Sequence, residues 1–141
     1  MKKQRPLIGI SVGDPAGIGP EVTAKALSLD EIYKICKPLA VAEAEMMKAA
    51  VSFSELPLEV HTISYPQEGY YELGTLDVLD LRNIDDRAVK HKVVSPDCGR
   101  ASFEYIKKII ELALIKEIDA TVTGPINKEA INQAGLHYAG H

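Results

Sequence analysis

The chain opens with an uninterrupted apolar run, breaks on a stiff loop, and passes straight into a helical pattern. Leu7–Val12 is apolar apart from Ser11 and stops at Gly13-Asp14-Pro15. That combination reads as a buried strand. Glu21–Ser28 then carries helical spacing, with Val22, Ala26 and Leu27 on one side. Pro20 suits its first turn, where the missing N–H costs nothing.

The same alternation recurs. Leu39–Ala42 reads as a second short strand, followed by a helix through "EAEMMKAAVSF". Residues 57–64 and 75–81 are further strand candidates, and Tyr65–Leu73 between them is expected to be a flexible loop. The strongest helix spans Gly99–Lys116. Tyr105, Ile106, Ile109, Ile110, Ala113 and Leu114 recur there at helical steps, with Arg100, Lys107, Lys108 and Glu111 off that stripe. Asp97 is its candidate cap. Residues 119–125 form another strand pattern ending in Gly-Pro, and "NKEAINQAG" is a short helix closed by Gly135. Strands alternating with helices predict an α/β protein with a mostly parallel sheet.

Length and composition set the frame. The 141 residues favour one domain, and 46% hydrophobic with 26% charged is ordinary for a globular chain. The net charge is −4 with no basic block, which argues against nucleic acid or anionic membrane as partner. The basic start "MKKQR" precedes an apolar run too short for a signal peptide, and Asp14 interrupts it. No stretch approaches a transmembrane helix. These readings give a cytoplasmic expectation. Cys36 and Cys98 form no CxxC pair and no zinc-like spacing, so they read as two inert thiols.

Ligands in parallel α/β sheets bind outside the carboxyl ends of the strands. Two loops qualify by position, Gly13–Pro20 and Thr123–Lys128. The first is no dinucleotide fingerprint, because its glycines fall at 13, 17 and 19. Pro15 and Pro20 also remove N–H donors that a pyrophosphate cradle needs. No Gly-Lys-Ser/Thr follows, which rules out a P-loop. The residues alone leave a structural turn and a binding loop both open. Asp14 either turns the chain locally or holds a substrate hydroxyl. In the second loop, Lys128 stands at a helix start, where the dipole disfavours a cation. It is either a solvated surface lysine or an anion-binding one, with Thr123 and Asn127 beside it. His61, His91, His137 and His141 show no metal-ligand spacing.

"GDPAGIGPEV" after an N-terminal strand, with "TGPINKEAINQAGLHYAGH" downstream, resembles the 4-hydroxythreonine-4-phosphate dehydrogenase family of vitamin B6 synthesis. "SPDCGRASFEYIKKIIELAL" is similar to that family's long helix between the motifs. The likeness spans nearly the whole chain and is weakest over residues 52–90.

The resemblance implies a fold like that of isocitrate and isopropylmalate dehydrogenases: two α/β domains, with the site in the cleft between them. Residues 1–141 would be the N-terminal part of such an enzyme. It also implies oxidation of 4-(phosphooxy)-L-threonine to a 2-amino-3-oxo acid that loses CO2. The cofactors would be NAD or NADP and a divalent metal (Zn, Mg or Co), and the enzyme a homodimer. His141, Lys128, Asn127 and Asp14 match motif positions and are carried over as substrate-binding. The family motif continues past Gly140-His141 with Thr-Glu, and its metal ligands are expected beyond residue 141. The 141 residues by themselves are therefore expected to be inactive. Oxidation of D-threonate or D-erythronate 4-phosphate in sugar-acid catabolism fits the same motifs. A non-catalytic module that binds a phosphorylated metabolite is the reading from a different class.

Overall fold

The computed structural model describes residues 4–137. Five strands form one sheet in the order β3-β4-β2-β1-β5, and every pairing is parallel. The strands are β1 (Leu7–Ser11), β2 (Lys37–Ala42), β3 (Glu59–Ile63), β4 (Thr75–Asp80) and β5 (Ala120–Thr123). Five α-helices are interspersed: α1 (Gly19–Ala26), α2 (Asp30–Ile35), α3 (Ala44–Phe53), α4 (Pro96–Leu114) and α5 (Lys128–Gln133). The α/β expectation therefore holds. No helix among the described residues is long and apolar enough to cross a membrane.

β2 sits in the middle of the sheet and is buried from Pro38 to Ala42. A strand with helices over both faces needs apolar residues at successive positions, which is why "PLAVA" shows no alternation. β1 lies between β2 and β5, with Gly9 opposite both Leu39 and Thr121. α4 packs over β1, β2 and β5, while α3 packs over β3 and β4. The core joins these layers through Leu39, Val41, Met47, Leu76, Val78, Tyr105 and Ile109, all 0% exposed.

Four readings of the sequence need correction. Residues 30–35 form α2, which the pattern did not reveal: its six residues bury only Tyr33, so no apolar stripe stands out. The cap of α4 is Ser95, not Asp97. The Ser95 hydroxyl accepts from the Cys98 N–H at 3.2 Å, and Asp97 falls inside the first turn. The α4 stripe is also narrower than its apolar residues suggest. Tyr105, Ile109 and Leu112 are buried, whereas Ile110 and Leu114 are 48% and 77% exposed.

The fourth correction concerns residues 65–73, which are pinned to the sheet. They carry a single 3-10 turn, Pro66–Glu68. Tyr71 is buried, and its hydroxyl donates to the Pro66 carbonyl at 2.6 Å. The buried Asp77 carboxylate accepts from the Tyr70 and Tyr71 N–H groups at 3.1 and 2.8 Å. It also lies 2.8 Å from Nδ1 of His61, whose ring stacks on Tyr70. A charged acceptor with three partners holds a loop that its composition marks as mobile.

The chain moves from β1 to β2 on one side, and later crosses back to place β5 on the other side of β1. The order in which strands are added therefore reverses beside β1, at the kind of switch point where parallel sheets open a crevice.

Candidate functional site

The site grows from Gly13. Its φ is +84°, in the left-handed region that favours glycine, and a Cβ there would run into the Pro125 carbonyl. That close approach docks the loop after β1 onto the loop after β5. The Asp14 N–H donates to the Pro125 carbonyl at 3.0 Å, and the Gly124 N–H donates to the Ser11 carbonyl at 2.6 Å. The two loops singled out from the sequence thus form one unit.

Asp14 closes a tight local turn. Its Oδ1 accepts from the Ala16 N–H at 2.8 Å, and its carbonyl accepts from the Gly17 N–H at 3.0 Å. The side chain is 5% exposed. Burial pushes its carboxyl above the ordinary 3.8, and the Ala16 N–H offsets part of that rise. The structural turn and the binding group left open by the sequence are therefore compatible. One oxygen makes the turn, and the other has no donor among the described residues.

Asn127 caps α5. Its Oδ1 accepts from the Ala130 N–H at 3.0 Å, which leaves its Nδ2 free of protein acceptors among the described residues. The position of α5 depends on Gly99 in α4, where a Cβ would collide with the Ala130 carbonyl. Without a side chain at 99 the two helices meet backbone to backbone. That contact brings the start of α4 and the start of α5 to the same end of the sheet.

A third segment completes the enclosure. The chain from β4 to α4 returns across the carboxyl end, and the Lys92 N–H donates to the Ala16 carbonyl at 2.8 Å. A cleft of about 210 Å³ results, lined by Asp14, Ala16–Ile18, Lys92–Val94 and Pro125–Asn127. Asp14, Asn127 and Lys92 are its polar side chains, and the rest of the wall is backbone and apolar surface. Beneath it, Cys98 is buried, and burial pushes its thiol up. Cys36 and Cys98 are both free.

Of the sequence-derived site residues, the structure brings Asp14 and Asn127 to one cleft. Lys128 is the first residue of α5; it is exposed and is not part of the cleft wall. His141 lies outside the described residues. His61 is on β3 at the far edge of the sheet. Sequence reasoning missed Lys92–Val94. The usable signal was Ser95-Pro96, a helix start in a parallel sheet, which returns the chain to the carboxyl end where ligands bind. Among the described residues, no group of three or more His, Cys, Asp or Glu side chains is placed to hold a metal ion.

The family profile of the pyridoxal phosphate biosynthetic protein PdxA matches residues 34–141, more than half of the chain. The chain belongs to the PdxA family. Among curated PdxA-like relatives, a candidate D-threonate 4-phosphate dehydrogenase of Clostridium botulinum is 43% identical over 141 residues. That match takes in 100% of this chain and 42% of the relative. A candidate D-threonate 4-phosphate dehydrogenase of Symbiobacterium thermophilum is 45% identical over 137 residues, covering 97% of this chain and 41% of the relative. Among solved PdxA-like structures, the 4-hydroxythreonine-4-phosphate dehydrogenase of Burkholderia phymatum superposes with a TM-score of 0.95 at 37% identity. It is covered over 42% of its length, against 99% of this chain. The chain thus spans under half the length of the relatives it matches.

Proposed function

We propose that this chain supplies the hydroxy-acid side of an active site that oxidises a four-carbon acid 4-phosphate, D-threonate 4-phosphate in the first place. The supporting observation is the cleft at the β1/β5 switch point, with a buried carboxyl and a free amide on rigid loops. It occurs in a chain 43–45% identical to relatives named for D-threonate 4-phosphate. The solved relative named for 4-hydroxythreonine 4-phosphate is 37% identical, so oxidation of 4-(phosphooxy)-L-threonine is the second reading.

In this proposal the free Asp14 oxygen accepts a substrate hydroxyl and Asn127 Nδ2 donates to a substrate oxygen. Both groups are held by their own turns, so little ordering is needed when the ligand arrives. NAD or NADP would take the hydride from the alcohol carbon, and a divalent metal would stabilise the alkoxide. In this reading the metal's ligands would come from residues beyond 141. The 141 residues by themselves are therefore expected to bind the acid phosphate without turning it over.

The test is an assay of a polypeptide carrying these residues at the full length of the relatives. It would be supplied with each acid phosphate, NAD+ or NADP+, and Zn2+, Mg2+ or Co2+. Preference for D-threonate 4-phosphate by kcat/KM is the expected result, and preference for the phosphothreonine removes that assignment. NADH formation by the 141-residue chain alone would overturn its expected inactivity.

A further inference from the structure

Two hydroxyls are enclosed between α4 and the sheet without a protein partner. Ser11 and Tyr105 are each 0% exposed. Neither Ser11 Oγ nor Tyr105 Oη makes a hydrogen bond among the described residues, so the two are not bonded to each other either.

The fold sets them in one layer. A Cβ on Gly9 would meet Ile109 and Ile118, so that side of β1 is the one beneath α4. Ser11 lies two residues further along and shares that side. It stands opposite Val41 on one neighbour and Thr123 on the other. α4 starts at the carboxyl end of the sheet, so one turn back from Ile109 leads toward that end and reaches Tyr105. Four helical residues advance about 6 Å, and two strand residues advance about 6.6 Å. The steps match, and Tyr105 follows Ile109 along α4 as Ser11 follows Gly9 along β1.

The surroundings leave room for a small polar guest. A helical tyrosine leans over the turn that precedes it. Here that turn presents Ala101 and Ser102, both buried and small. The Ser102 hydroxyl donates to the Gly99 carbonyl at 2.9 Å and keeps its lone pairs. A buried hydroxyl with no partner is costly, and Phe or Ala would fill these positions without that cost. Each hydroxyl both donates and accepts, so one water molecule satisfies the pair.

We propose that a single buried water bridges Ser11 Oγ and Tyr105 Oη and braces the junction of the two cleft loops from below. Ser11 is the last residue of β1, and its carbonyl accepts the Gly124 N–H that joins those loops. Its side chain, through the water, ties the same residue to α4.

The test is a high-resolution crystal structure of the 141-residue chain, with Tyr105→Phe, Ser11→Ala and the double variant compared by thermal melting and hydrogen exchange. Each substitution removes one oxygen and keeps the shape. The parent should show a water within hydrogen-bond distance of both oxygens, and Tyr105→Phe should lose it. Each single variant should melt several degrees lower, and the double variant little lower than the worse single one, because both break the same bridge. The Gly124 amide should exchange about tenfold faster in each single variant, as loss of one buried hydrogen bond implies. A parent structure with no water there, or with the two hydroxyls bonded directly, overturns the proposal. Tyr105→Phe melting at or above the parent temperature overturns it too, since the hydroxyl would then be a plain liability. Additive losses in the double variant, or unchanged Gly124 exchange, overturn the shared bridge and its bracing role respectively.

Discussion

Asp14 makes a turn and faces a cleft with the same side chain, and the two roles separate in their pH dependence. Burial holds its carboxyl above 3.8, so the folded chain keeps the proton to higher pH than the unfolded chain. The stability that follows is fully present below 3.8. It falls as pH rises from 3.8 through the folded-state value, and then levels off. Asp14→Asn keeps an oxygen for the Ala16 N–H and removes the titration. Urea unfolding between acid and neutral pH should lose that downward component in the variant. At neutral pH the variant should be as stable as the parent or slightly more so, by up to about 1 kcal/mol. Binding of D-threonate 4-phosphate should weaken, because an amide is a poorer acceptor for a hydroxyl than a carboxylate. An unchanged pH slope would mean that Asp14 is not the group being desolvated.

At the scale of elements, the loop over residues 65–73 shows how far a single buried charge reaches. Asp77 is 1% exposed and accepts from Tyr70, Tyr71 and His61. Asp77→Ala leaves two N–H groups without their acceptor beneath a buried tyrosine, and should cost about 3 kcal/mol. His61→Ala should cost less, because the ring is partly exposed and the two backbone donors keep their acceptor. Hydrogen exchange at the Tyr70 and Tyr71 amides, read beside the denaturation midpoint, checks this. Equal costs for the two variants would show that the loop is held by its own packing instead.

This loop also marks what the sequence leaves illegible. β1, β2 and α4 were legible because apolar runs and helical spacing are local signals. The Gly13 loop was legible as special because its prolines restrict the backbone and its glycines admit conformations that other residues avoid, both of them local signals. The hold of Asp77 on residues 70 and 71, and the reach of Lys92 to Ala16, depend on which strand ends lie side by side. No local period encodes that. α2 was missed for the opposite reason, since a six-residue helix with one buried side chain carries too little pattern to register.

For the whole molecule, the telling feature is the side of the sheet where β5 lies. β5 pairs with β1 and is exposed along its full length, whereas β2 is buried almost throughout. Leu114, Ile115 and Val122 are 77%, 64% and 51% exposed on or next to the elements that meet there. An uncovered strand edge rich in Thr and Val, beside apolar side chains, favours pairing with another chain. The brevity of β5 and the Gly124-Pro125 that ends it limit how far such pairing extends. The 141-residue chain, purified by itself, is therefore expected to self-associate in a concentration-dependent way. Leu114→Lys with Val122→Lys places charge on that side without removing a buried side chain. The double variant should shift sedimentation toward monomer and leave the melting temperature within a few degrees of the parent. A parent chain that sediments as a monomer and melts cooperatively at every concentration would show that this side needs no cover. The β5 edge would then have no part in assembly.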